Sequence, residues 1–335
     1  MGFWRRFFLS VLILILILIA SFWLYFLHRP IVPKNAKPVK IDFLHGESLD
    51  HFTATLVRKK VSISPTMFKL LAYFNNVTHS VQAGRYILEP GITPEELLNK
   101  LEKGEVILRH FTIIPGQTFR RILHNLEVNK HLKHKLVHLT NQEIMQKLGY
   151  PNKNPEGLFA ADTYLFNPGS ADIRILQAAF DLENERLTKL WSDRAPNVIY
   201  DSKYEALIAA SIIEKEANLS KERSIIADII QRRLKKNMYL QLDPTVIYAL
   251  GSKFSGDLSR KDLRINSPYN TYKIKGLPPA PICSPSLASI EAVMHPKANN
   301  YLYFVAKGDG SHKFSINLQG HDAGVKKYQL GKNND

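Results

Sequence analysis

The chain has 335 residues, enough for two or three modest domains. It is 45% hydrophobic and 22% charged, and its single cysteine, Cys283, excludes an internal disulfide framework and the common multi-cysteine metal sites. The net charge of +15, from 45 Lys+Arg against 30 Asp+Glu, suits an anionic partner: nucleic acid, lipid head groups or an acidic cell-wall polymer.

In chain order, the first element is the uncharged run "FFLSVLILILILIASFWLYFL", residues 7–27. At about 1.5 Å per residue a helix of this length spans a ~30 Å hydrocarbon layer. Trp4, Trp23 and Tyr25 stand where interfacial aromatics are expected. A cleaved signal peptide would end in an A-x-A-like site, whereas this run ends in bulky "FWLYFLHRP", so it reads as an uncleaved anchor. Arg5 and Arg6 before it, against His28 and Arg29 after it, favour residues 1–6 in the cytoplasm and the bulk of the chain outside, which puts nucleic acid well down the list of partners.

Residues 28–40, with three prolines, read as an extended juxtamembrane linker. A compact module over 41–105 follows: a strand from Ile41, a helix started by Gly-Glu-Ser, a strand "GRYIL", a Pro90-Gly91 turn and a helix opened by Thr93-Pro94-Glu95-Glu96. The remainder, 106–335, begins with a strand in "VILRHFTIIPG" and a basic helical stretch from Thr118 to Gly149. His131, His134 and His138 would share a face there; no Cys or acidic ligand stands near, so they read as a solvated basic face, not a metal site. "NPEGLFAADTYLFNPGS" is a loop suited to lining a cleft, and a long helix covers about 173–192.

The chemistry concentrates in the next helix, "YEALIAASIIEKEANLS" from Tyr204. On a 3.6-residue period Ile208, Ala209, Ile212, Ile213 and Glu216 fall on one side, and Leu207, Ala210, Ser211, Glu214 and Asn218 on a more mixed one. Glu216 therefore rides the apolar stripe at the helix C-terminus. Burial and the helix dipole both disfavour its charged form, which suits a general acid near neutral pH. Glu214 is expected to be exposed or paired with Lys215 or Arg223. Ser211 and Lys215 are one turn apart, but serine enzymes of that kind use S-x-x-K, with S-D-N and K-T-G motifs that are missing here.

"SIIEKEA", "ERSIIADIIQRRLKKNMYLQLDPTVIYALG", "YNTYKIKGLPPAPICSPS" and "HPKANNYLYFVAKGDGSHKFSINL" together resemble the MltG (YceG-like) family of endolytic murein transglycosylases, over nearly the whole chain. The resemblance implies an α+β protein: a single N-terminal transmembrane helix, a small LysM-like α/β module over 41–105, and a mixed α+β catalytic domain over 106–335. It implies lytic cleavage between N-acetylmuramic acid and N-acetylglucosamine, leaving 1,6-anhydromuramic ends. It further implies location in the cytoplasmic (inner) membrane with the catalytic domain in the periplasm, action on nascent strands that limits their length, no cofactor, and coupling to peptidoglycan synthases. The catalytic glutamate of such enzymes falls on Glu216, with Ala217 where Ser or Thr is common; "EGLFAADTYLF" has Ala161 where proline is expected. Asp243 is the nearest candidate second carboxylate, with helix capping beside Pro244 as its alternative, and Glu214 a further supporting group. Gln241, Tyr269, Asn270 and Tyr272 have the chemistry to hold sugar; for the "YNTY" residues the alternative is a buried turn. Three rival readings remain: a non-catalytic glycan-binding scaffold, a muramidase-type hydrolase using two carboxylates, and a cytoplasmic nucleic-acid binder, which requires the opposite topology.

Overall fold

The computed structural model describes residues 2–331 except His45 and His79; the Arg6 side chain, part of the expected cytoplasmic flank, also lies outside the described residues. The chain divides into two units, one of residues 1–109 with 165–170, the other of 110–164 with 171–335. The protein is mixed α+β with one long apolar helix at its N-terminus.

In the first unit, α1 (Gly2–His28) contains the apolar stretch Phe7–His28, of mean hydropathy 2.9, long enough to cross a membrane by length and composition. Its last turns are not free. Trp23 meets Phe74 edge-on with ring centroids 6.0 Å apart, and Trp23, Phe26 and Leu27 pack on the core of the following module. The proline-rich stretch read as a linker enters that core too: Ile31 and Val32 are buried, the Ile31 N–H donates to the Ile92 carbonyl, and the Gly91 N–H donates to that of Val32. Two aliphatic residues among prolines carry more drive for burial than composition alone conveys.

β1 (Val39–Phe43), α2 (Leu49–Arg58), α3 (Pro65–Phe74) and β2 (Gly84–Leu88) form a β-α-α-β arrangement, with β1 and β2 antiparallel and Ile41 opposite Tyr86. Alternation along β2 buries Gly84, Tyr86 and Leu88. α4 (Pro94–Lys103) begins with a full capping box between Thr93 and Glu96 and ends at the left-handed Gly104.

The second unit takes in most of β3 (Arg109–Thr112), then α5 (Phe119–Glu127) and α6 (Asn141–Lys147). The stretch between these helices, expected to be helical, is irregular. The Asp172 carboxylate accepts hydrogen bonds from the Lys135 and Leu136 N–H groups, and Thr140 restarts a helix through a capping box with Glu143. His131, His134 and His138 therefore share no helix face; all three are exposed.

β4 (Thr163–Phe166), whose last two residues belong to the first unit, precedes α7 (Asp172–Ser192), α8 (Lys203–Glu216), α9 (Ser220–Lys235) and α10 (Asp243–Leu250). α11 (Leu287–Met294), the antiparallel pair β5 (Tyr303–Ala306) and β6 (His312–Ser315), and α12 (Leu318–Val325) complete the unit. α7, α9, α10 and α11 all pack on α8, so residues Ala206 to Ile213 are buried on every side. The expected apolar stripe is thus a fully buried helix, and Leu207, Ala210 and Ser211 are as enclosed as the isoleucines.

Glu183 on α7 is a buried carboxyl whose Oε1 has no hydrogen-bond partner among the described residues. Burial pushes it up to about 8, against a smaller opposing pull from Arg186. The folded chain therefore holds this proton when the unfolded chain, titrating near 4.5, has lost it. Stability is fully present below about pH 4.5 and declines as pH rises through 8. Glu183→Gln is expected to raise Tm at pH 8.5, by the equivalent of a few kcal/mol, with the gap closing by pH 5. Thermal melts across pH check this; parallel curves for the two proteins would contradict it.

Candidate active site

Glu216 is the last residue of α8, and the chain leaves it in extended conformation at Ala217, whose N–H returns to the Ile213 carbonyl at 2.9 Å. A helix as apolar as "ALIAASII" runs to the heart of the unit, and the carboxyl sits where it emerges. Glu216 is half-buried and makes no hydrogen bond or ion pair with any described residue. Burial first, and the nearby Asp243 charge second, push it up to about 7. A carboxyl in this state is an available proton donor at neutral pH.

Asp243 comes from the first turn of α10. Leu242 occupies the capping position, so Asp243 is not the cap. Its Oδ1 instead accepts the Tyr272 hydroxyl at 2.6 Å. Tyr272 is itself pushed up, mainly by burial and then by Asp243, with Glu216 adding to the effect, so its phenol stays a donor. Glu216, Asp243 and Tyr272 thus form one electrostatic group, built from α8, α10 and the "YNTY" turn.

That turn is held by hydroxyl pairing. Thr271 Oγ1 accepts the Leu242 N–H at 3.0 Å and lies 2.9 Å from Thr245 Oγ1, while the Gln241 N–H donates to the Thr271 carbonyl. Gln241 adopts a left-handed φ of 51°, uncommon for a residue with a side chain, and is exposed. Asn270 is fully buried. Its Nδ2 donates to the Leu263 and Ile265 carbonyls and its Oδ1 accepts the Tyr272 N–H, so its amide shapes the turn and is not free for sugar. The Tyr269 ring packs against Tyr248 at a centroid distance of 4.9 Å.

Glu214, two residues before Glu216, differs in kind. Its Oε2 accepts the Ser286 N–H at 2.9 Å and the Ser289 hydroxyl at 2.7 Å, and Arg223 stands 3.6 Å from Oε1. It fastens the start of α11 to the end of α8. The Ser211 hydroxyl donates to the Ile208 carbonyl and accepts the Ile282 N–H, while Lys215 reaches toward the Gly116 carbonyl, so the two do not pair.

One group went unnoticed in the sequence. Glu156, in "NPEGLF", is buried, accepting the Phe119 N–H at 2.9 Å and the Tyr248 hydroxyl at 3.0 Å. Burial, outweighing these bonds, pushes it up to about 7. The signal available was the following Gly157, whose φ of 76° and approach to Pro281 leave no room: a Cβ there would lie 2.4 Å from the Pro281 Cβ. Glu156 lines a cavity of about 560 Å³ with Lys215, Pro244 and Tyr248 among its walls. A larger cavity of about 700 Å³ lies in the first unit, lined by the mixed charges of Lys34, Glu89, Glu96, Lys100 and Glu105. Among the described residues no group of three or more His, Cys, Asp or Glu is placed to hold a metal ion.

A family model described as the YceG-like family matches residues 41–327. An endolytic murein transglycosylase of Bacillus subtilis is 31% identical over 323 residues, covering 91% of this chain and 89% of the relative. One from Streptococcus pneumoniae is 28% identical over 341 residues, covering 91% of this chain and 61% of the relative, so the chain spans about three-fifths of that protein. A 2.6 Å crystal structure of a yceG-like protein from Listeria monocytogenes is similar with a TM-score of 0.53 and 27% identity, covering 86% of this chain and 98% of that one.

Proposed function

The chain belongs to the YceG-like family, and on that premise we propose that it is an endolytic lytic transglycosylase that cuts peptidoglycan between N-acetylmuramic acid and N-acetylglucosamine. The observation that carries this reading is Glu216: a half-buried carboxyl at about 7, without a partner among the described residues, beside Asp243 and Tyr272. Its similarity to proteins named endolytic murein transglycosylases, 31% identical in one case, supplies the substrate.

The steps follow from one acid. Protonated Glu216 gives its proton to the glycosidic oxygen as the bond to the muramic anomeric carbon breaks. The Asp243 carboxylate, held by the Tyr272 hydroxyl, stabilises positive charge gathering on the ring. Ionised Glu216 then takes the proton of the sugar's own 6-hydroxyl, whose oxygen closes on the anomeric carbon. The proton lost in the first step returns in the second, and no water is consumed. Gln241, Tyr269 and Tyr272 serve as sugar contacts, while Glu214 and Asn270 keep the framework in register.

The finer organisation belongs to the same proposal. α1 anchors the chain in the cytoplasmic membrane with residues 1–6 inside and the rest in the periplasm. The β-α-α-β order of residues 39–88, with its antiparallel pair, supports a LysM-like glycan-binding module, and 106–335 is the catalytic domain. Work on nascent strands beside a synthase, limiting their length, fits a tethered enzyme.

The pair Glu216–Asp243 also favours a second reading, hydrolysis by two carboxylates. Mass spectrometry of product ends from purified protein and uncrosslinked glycan strands separates them. Anhydro ends are expected; reducing ends, heavier by one water or about 18 Da, would establish the hydrolase instead. Intact strands would leave the scaffold role.

A further inference from the structure

We infer that the cavity lined by Lys215 and Arg120 receives the acidic peptide branch of the glycan strand, with a branch carboxylate held by these two cations. This rests on the reading of peptidoglycan as substrate and goes beyond it by assigning a peptide site. The cavity, at about 560 Å³, is the size of a small-ligand pocket.

Its position comes first. Lys215 immediately precedes Glu216 on α8, and Pro244 immediately follows Asp243 on α10. Pro244, Ile247 and Tyr248 recur at helical spacing, so one side of α10 forms a wall that Gly251, just past its last turn, extends. The cavity therefore begins one residue along both helices from the two carboxyls assigned to the chemistry. A peptide leaves the glycan from the lactyl group of muramic acid, the sugar whose anomeric carbon reacts, so the branch starts beside the cut.

Charge comes second. The Lys215 ammonium has only the Gly116 carbonyl, at 3.5 Å, and Arg120 is exposed; neither has an acidic partner among the described residues. The one carboxyl in the wall, Glu156, makes no ion pair with either: its oxygens accept the Phe119 N–H and the Tyr248 hydroxyl. A neutral sugar would leave both cations idle, whereas a peptide carboxylate gains charge-assisted hydrogen bonds from them. The remaining lining, Phe119, Ile247 and Ile282, suits small apolar side chains.

The test compares kcat/KM of the full chain on glycan strands carrying stem peptides and on the same strands stripped of peptide by an amidase. The wild type is expected to prefer peptide-bearing strands by about tenfold, the scale of one charge-assisted contact. The ratio should fall toward one in the double variant Lys215→Met with Arg120→Met and stay high in Lys215→Arg with Arg120→Lys, the control for folding. A wild type that cuts both strands equally, or a methionine variant that keeps the preference, overturns the peptide site while leaving the enzymatic reading intact. A wild type that cuts neither overturns the enzymatic reading itself, and the peptide site with it.

Discussion

Glu216→Gln will lower the rate of glycan cleavage by about a thousandfold while leaving the fold in place. The amide matches the carboxyl in shape but has no proton to give and cannot recover one from the 6-hydroxyl, so both proton transfers are lost; general acid–base contributions of this kind are worth about 10² to 10⁴. The same change costs little stability. Because burial and Asp243 hold the Glu216 carboxyl at about 7, while the unfolded chain titrates near 4.5, stability falls as pH rises between these values, and an amide removes the penalty. Tm should equal the wild-type value below about pH 4.5, draw ahead of it as pH rises, and hold the full gap above about pH 7. Release of products from defined strands, measured beside thermal melts, checks both halves. Full activity in a folded Glu216→Gln protein would remove this residue from the chemistry.

Asp243→Asn will move the alkaline fall of kcat/KM to lower pH. In the wild type the fall should centre near 7, as the proton donor ionises. Asp243 is the second cause of the raised value, after burial, and its effect is repulsion between like charges. The asparagine keeps an oxygen to accept the Tyr272 hydroxyl but carries no charge. Glu216 then ionises more easily, and its titration moves toward 4.5 without reaching it, because the larger cause remains. The variant should therefore be several-fold slower at pH 7.5, with part of that deficit recovered in acid. A pH–rate profile with an unmoved alkaline limb would show that the two carboxyls act independently.

Local rules located much of the scaffold. The alternation in "GRYIL" and the capping box at Thr93–Glu96 are encoded within a few residues and appear where those rules place them. The interruption between α5 and α6 could not be read this way, because the carboxylate holding Lys135 and Leu136 belongs to Asp172, tens of residues later. Ile31 and Val32 were obscured by their prolines, although the partners that bury them lie in the module itself.

The site divides along the same line. On a 3.6-residue period Glu216 stands on the apolar stripe, yet α8 is buried all round, so the stripe does not distinguish it from Glu214. What separates the two is partnership: Glu214 is saturated by Ser286, Ser289 and Arg223, and Glu216 is not. Those partners lie outside the α8 window, as Tyr272 does for Asp243 and Tyr248 for Glu156. Spacing within a helix carries no information about such pairs.

Glu216 has to keep its proton in a substantial share of molecules near pH 7 if it is the acid of the reaction. ¹³C NMR of the full chain labelled at glutamate side-chain carboxyls, with Glu216→Gln used to assign the resonance, follows that titration directly. A midpoint near 7 is the expected result. A midpoint near the ordinary 4.5 would mean that the group enters the reaction already ionised, and the proton would have to come from elsewhere.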